Sequence, residues 1–155
     1  MAMLDEQLLE RARALKLHGL IAHWDELNGD DGWIGMLLGW EETERQKRSL
    51  ERRLRNAHLG RFKPLADFDW AWLQRCDRSA VEELMRLDFL KEAANAVLIG
   101  PNGVGKTTVA KNIAYQAVLK GHTVHFTTAG KMLSDLASQD GDIALRRKLG
   151  SYAQP

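Results

Sequence analysis

The residues best suited to chemistry lie together near two thirds of the way along the chain. Gly100, Pro101, Asn102, Gly103, Val104, Gly105, Lys106 and Thr107 satisfy the pattern G-x-x-x-x-G-K-[ST] at every fixed position, and Thr108 extends it. Each fixed position has a physical reason. Glycines let the backbone turn tightly and come close to a ligand. Successive N–H groups can then converge on an anion. A helix starting at Lys106 would add the positive end of its dipole at the same point. The Lys106 ammonium can reach the β- and γ-phosphates of a nucleotide, which makes it the one catalytic candidate. The Thr107 hydroxyl can ligate Mg²⁺, an ion that keeps most of its water and shares phosphate oxygens. The predicted ligands are therefore ATP and Mg²⁺.

A chance glycine-rich turn can match the same pattern. The flanking elements decide between the two readings. Before the loop, Ala96-Val97-Leu98-Ile99 is a fully apolar run, as expected of a buried parallel strand. After it, Val109, Ala110, Ile113, Ala114, Ala117 and Val118 recur at helical spacing, and Gly121 stands where a C-terminal stop belongs. Thr123-Val124-His125-Phe126-Thr127 reads as a second strand. Strand, helix and strand in about thirty residues predict a βαβ unit. Residues 129–138 and 143–152 read as two more helices.

Hydrolysis asks for more than binding. A later strand should end in an acidic residue that holds Mg²⁺. No run after Phe126 has that form. Asp135 falls within a helical pattern, and Asp140 and Asp142 flank Gly141 in a turn. Turnover by these residues alone is not expected, so whether the chain is an enzyme stays open.

The first half reads as helices. Leu4, Leu8, Ala12 and Leu15 share one helical face, with Gly19 as the predicted stop, and residues 20–27 make a short second helix. Residues 28–35 read as a loop. A long helix is predicted over residues 33–57. Trp33, Met36, Leu37 and Trp40 form its apolar start, read as core, and Glu41–Arg45, Glu44–Arg48 and Glu51–Arg55 are ion pairs at i,i+4. Residues 60–69, which include Pro64, break the pattern. The predicted division is a helical domain over 1–64 and a second domain over 65–155, with short helical stretches at 81–87 and 88–94.

The chain has 155 residues, 45% hydrophobic and 28% charged, which suits a folded globular protein and excludes a disordered one. No apolar run approaches the ~20 residues of a membrane span, and the N-terminus has no signal pattern. A single cysteine, Cys76, is consistent with a reducing cytoplasm. The net charge of +1 hides an asymmetry: residues 41–63 hold eight basic against four acidic side chains. Arg45, Lys47, Arg48, Arg52, Arg53, Arg55, Arg61 and Lys63 could meet DNA phosphates without sequence preference. The alternative is a solvated helix face with internal salt bridges. His122 and His125 lack the companions of a metal site.

Further stretches carry a resemblance. These are Leu15-Lys16-Leu17-His18-Gly19 with Trp24, Glu42-Thr43-Glu44-Arg45-Gln46 through Leu54-Arg55-Asn56-Ala57, Leu65-Ala66-Asp67-Phe68-Asp69, and His125-Phe126-Thr127-Thr128-Ala129. With the phosphate loop, they make the chain resemble the N-terminal part of the IstB-like transposition helper ATPases, AAA+ proteins related to the DnaC helicase loader. The resemblance implies an α/β fold class: an N-terminal helical domain followed by an incomplete AAA+ αβα core. In AAA+ sheets two later strands separate the first and second, so those two are not expected to pair directly. It implies an ATP-binding helper of DNA transposition that forms homo-oligomers and engages DNA and a transposase. Only the phosphate-loop residues carry over position by position. The acidic strand, sensor residues and arginine finger of the family are not found, which reads as a fragment or a truncated gene. A DnaC-like helicase loader and a non-hydrolysing DNA- or protein-binding module are the alternatives.

Overall fold

The computed structural model describes residues 2–26, 32–67, 70 and 77–153. The chain forms two compact units, Met1–Ser49 and Leu50–Pro155. Among the described residues, no helix is long and apolar enough to cross a membrane.

The first unit is built on α1 (Ala2–Ala14), α2 (His18–Ala22) and the beginning of α3 (Gly32–Asn56). Its core is Ala12, Leu15, Ile34 and Leu38, with Leu8, Leu17, Leu20, Ile21 and Trp24 packed against it. Helix α1 ends before the predicted stop at Gly19. Lys16 takes a left-handed conformation, φ 52°. Its N–H donates to Arg13 O (2.9 Å), and that of Leu17 donates to Ala12 O (3.1 Å), the bond pattern of a Schellman cap. A non-glycine residue at this position costs roughly 1 kcal/mol. Leu17 packing beside Ala12 offsets that cost. Gly19 therefore lies inside α2.

Helix α3 starts at Gly32, so the predicted loop at 28–35 is corrected for 32–35; residues 28–31 lie outside the described residues. The apolar start of α3 is also corrected. Ile34 and Leu38 face the core at 1% and 0% exposure, whereas Trp33 and Trp40 are 42% and 65% exposed. Residues 33, 36, 37 and 40 share one arc of about 100°, and 34 and 38 lie about 60° and 100° beyond its edge. Only one arc can face α1.

Of the predicted ion pairs, Glu41–Arg45 forms at 2.6 Å. Arg48 Nε instead donates to the Glu44 carbonyl at 3.3 Å. A pair that spacing does not reveal joins α1 to α3. Arg11 Nε and Nη2 donate to the two oxygens of Glu42 at 2.8 and 2.7 Å. This fork holds the Glu42 carboxyl below its ordinary range, chiefly through the hydrogen bonds from Arg11. A depressed carboxylate contributes stability above its unfolded pKa and loses it as pH falls through the folded value. Glu42→Gln should therefore lower the melting temperature at neutral pH. The wild-type and variant curves should converge as the pH falls through the folded value of Glu42, below the ordinary carboxylate range. A constant gap between them across that range would refute the assignment.

The second unit is organised by α6 (Lys106–Leu119), with α4 (Arg78–Arg86), α5 (Asp88–Lys91), α7 (Ala129–Ala137) and α8 (Asp142–Ala153). Its core joins Ala57, Leu59 and Val118, with Leu50, Leu54, Phe62, Ala114, Tyr115, Val124 and Phe126 around them. Gly121 ends α6 as predicted, at φ 97°. Its N–H donates to Val118 O (3.1 Å) and that of His122 to Ala117 O (2.9 Å). Asp77 and Thr128 cap α4 and α7 through their side-chain oxygens.

The expected α/β class, with an incomplete AAA+ αβα core, is overturned. The structure is predominantly helical and has no strand among the described residues. Residues 96–99 and 123–127 are non-helical but join no ladder. Val97 and Ile99 are 75% and 92% exposed, the reverse of a buried parallel strand. Residues 123–127 pack on the core, and Phe126 N–H donates to Ala57 O at 3.0 Å. One backbone bond does not make a sheet. β structure depends on rows of partners roughly 5 Å away, and local apolar content does not supply them.

Candidate functional site

The phosphate-loop residues converge at the start of α6. Gly105 is its N-cap residue, in the left-handed region at φ 88°, and Gly103 is at φ 81°. Side chains rarely adopt either conformation, so glycine at these two positions follows from the turn itself. A Cβ on Gly103 would meet nothing within 4 Å, so the backbone there borders open space. Gly105 accepts from Val109 N–H at 3.0 Å, which closes the first turn of α6. The N–H groups of Lys106, Thr107 and Thr108 precede that bond and have no helical partner by geometry.

Lys106 Nζ folds back over the loop and donates to Gly100 O at 2.8 Å and Pro101 O at 2.6 Å. The ammonium is thus held against the loop it belongs to. Gly100, Pro101, Asn102, Gly103 and Thr107 are exposed, and Val104, Gly105, Lys106 and Thr108 are half-buried. The loop has the features a polyphosphate would require: two left-handed glycines, unspent helix N–H groups, one ammonium and an exposed hydroxyl on Thr107. Among the described residues, no group of three or more His, Cys, Asp or Glu could hold a metal by itself.

Spacing alone did not bring out Asn112. It is a polar residue about 60° round α6 from Val109, beyond the edge of the arc that the apolar periodicity marks, and is 6% exposed. Its Nδ2 donates to Thr108 O (2.8 Å) and Lys63 O (2.9 Å), and its Oδ1 accepts from Leu65 N–H (2.9 Å). Periodicity offered no signal for it, because Gln116 stands one turn on along the same side of the helix.

The basic stretch lies along α3 and the segment that follows. Arg45, Arg48, Arg52 and Arg55 fall at i, i+3, i+7 and i+10, within one arc of about 80°. All four are exposed, as are Lys47, Arg61 and Lys63. Arg53 is half-buried, and its Nε donates to Val118 O at 3.4 Å. His125 stacks edge-on with His58 and Tyr152, at 5.5 and 5.2 Å between centroids. Tyr152 Oη donates to Asp135 Oδ2 at 2.8 Å, which lowers the Asp135 pKa. Asp135 thus docks α8 on α7 within the second unit. Cys76 lies outside the described residues.

A turn with two left-handed glycines and a lysine folded back over it, at the head of a helix, has the form that phosphate-binding loops take. The family follows from comparison: residues 10–155 match the model of the IstB-like ATP binding protein family. The chain belongs to that family. Over its whole length it is 31% identical to an insertion-sequence protein of Mycobacterium tuberculosis named for ATP binding, covering 65% of that protein. It is 36% identical to the IS21 insertion-sequence protein of Pseudomonas aeruginosa, also named for ATP binding, across 79% of this chain and 47% of the relative. A Geobacillus stearothermophilus IS5376 relative is 30% identical across 77% of this chain, with 47% of the relative covered. The chain thus spans about half to two thirds of the length of these relatives.

Proposed function

We propose that this chain is the ATP-binding helper of a transposable element, with ATP seated at Gly100 to Thr108. The observation that carries this reading is the Lys106 ammonium, poised on the Gly100 and Pro101 carbonyls above two left-handed glycines. Lys106 would exchange those carbonyls for phosphate oxygens, which are charged and bind an ammonium more strongly. Loop and helix N–H groups would hold and orient the phosphates. The Thr107 hydroxyl would face Mg²⁺, which supplies charge neutralisation between the phosphates when bound. Titration of the chain with fluorescent ATP tests this reading, and no saturable binding at millimolar nucleotide would refute it.

The transposition role rests on family membership and on relatives named for insertion sequences. It carries with it DNA, a transposase, self-association and a cytoplasmic setting as proposed partners and location. The arginine arc of α3 favours duplex DNA as one of them. Binding by the arc should be independent of base sequence and governed by counterion release. For four phosphate contacts, log K should fall against log salt with a slope of about −3.6. Replacing Arg48 and Arg52 by Ala should flatten that slope by about 2 and weaken binding to any duplex alike. Anisotropy titrations on two unrelated duplexes measure both quantities. An unchanged slope would assign the arc to solvent.

A further inference from the structure

In the second unit the side chain of Asn112 grips main chain on two separate segments at once. Asn112 sits one turn beyond Thr108 on α6. Its Nδ2 bonds back to Thr108 O within the first turn, whose leading residues, Lys106 and Thr107, belong to the phosphate loop. The same amide reaches across to the strap at residues 57–67, taking Lys63 O on one side of Pro64 and offering Oδ1 to Leu65 N–H on the other. Pro64 has no N–H, so Leu65 is the first donor after it. The 3₁₀ turn Leu65–Asp67 begins there, closed by Asp67 N–H on Pro64 O at 3.0 Å. Lys111, the neighbouring residue, donates to Arg61 O at 3.3 Å.

This arrangement is costly to build. A buried primary amide is stabilised only if both its oxygen and its nitrogen find partners, and an apolar side chain would fill the same space without that condition. Here both atoms are satisfied, and both tie the strap to the head of α6. The strap carries Arg61 and Lys63, whose side chains are exposed. Whatever steadies the first turn of α6 therefore steadies the strap, and the reverse holds by linkage.

We propose that Asn112 is a positioning residue that couples the phosphate loop to the 57–67 strap, so that bound nucleotide and an ordered strap stabilise each other. The coupling rests on the reading that ATP occupies the loop. It adds a consequence for the cations at Arg61 and Lys63: their placement becomes dependent on nucleotide. Asn112 touches no ligand, and it acts through Thr108 and the strap backbone.

Amide hydrogen exchange at Leu65 in the ¹⁵N-labelled full chain, with and without Mg-ATP, tests the coupling. Asn112→Leu keeps the volume and removes both bonds. Asn112→Ala guards against overpacking and suits a helix interior. The interior amides of α6 report whether each variant is folded. In the wild type, saturating ATP should slow Leu65 exchange by about fivefold. In both variants that response should vanish, and ATP affinity should weaken by the same factor, because coupling is reciprocal. A purely structural role would change Leu65 exchange equally with and without nucleotide. An ATP response that persists in a folded variant would overturn the coupling alone, and so would wild-type ATP binding with no change at Leu65. A wild-type chain that binds no ATP would overturn the parent reading, and the coupling with it.

Discussion

Lys106→Ala should abolish measurable ATP binding by this chain. The ammonium is the only charged group that the loop brings to its own mouth, where it is held by the Gly100 and Pro101 carbonyls at 2.8 and 2.6 Å. Opposite a polyphosphate it would make charge-assisted bonds, roughly twice as strong as neutral ones. Removing it leaves a nest of N–H groups with partial charge only. The expected loss is about 100-fold or more in affinity, or roughly 3 kcal/mol. The fold should survive, because Lys106 is half-buried at a helix start and alanine is a good helix former. Titration of fluorescent ATP against wild type and variant, with far-UV circular dichroism as the control, measures both. Equal affinities would mean that nucleotide binds elsewhere or that the loop does not bind it.

Leu38→Ala should unfold the first unit. Leu38 is 0% exposed and belongs to a small core in which the buried members among the described residues are Ala12, Leu15, Ile34 and Leu38. A leucine-to-alanine change in a buried site costs about 2–5 kcal/mol, the larger values where the surroundings cannot collapse into the space. A unit this small has little stability to lose. The neighbouring exposed position supplies the contrast: Met36→Ala, on the arc that faces solvent, should change stability by less than about 0.5 kcal/mol. Hydrogen-exchange protection along α1 should be lost in Leu38→Ala and kept in Met36→Ala. Equal behaviour of the two variants would mean that the assigned core face of α3 is wrong.

Much of the helical framework was legible in the sequence. The span of α3 was read to within one residue at each end, and α6 with its glycine stop was also read correctly. Periodicity and capping are local properties, and local residues settle them. The turn at Gly103 and Gly105 was legible for the same reason. Its two left-handed glycines follow from a turn that only glycine makes without strain.

Other features were misread because local texture does not say what an element packs against. Trp33 and Trp40 looked like core because they are large and apolar, yet the face that meets α1 is the one bearing Ile34 and Leu38. Gly19 looked like a helix stop. The stop is Lys16, held at positive φ while Leu17 packs into the core. The apolar runs at 96–99 and 123–127 looked like strands. A strand exists only where a neighbour supplies a ladder, and none does so among the described residues.

The sequence by itself determined the phosphate-loop motif, the helices that frame it and the family to which the chain belongs. These depend on residue type and spacing within a few turns of one another. Only the tertiary structure decided that Arg11 forks onto Glu42, and that Asn112 clasps Thr108, Lys63 and Leu65 together. It also decided which arc of α3 is buried. Those contacts join groups about thirty to fifty positions apart, or choose between faces that local periodicity leaves equivalent. Their free energy comes from burial and partnered polar groups, which exist only once the chain has closed on itself.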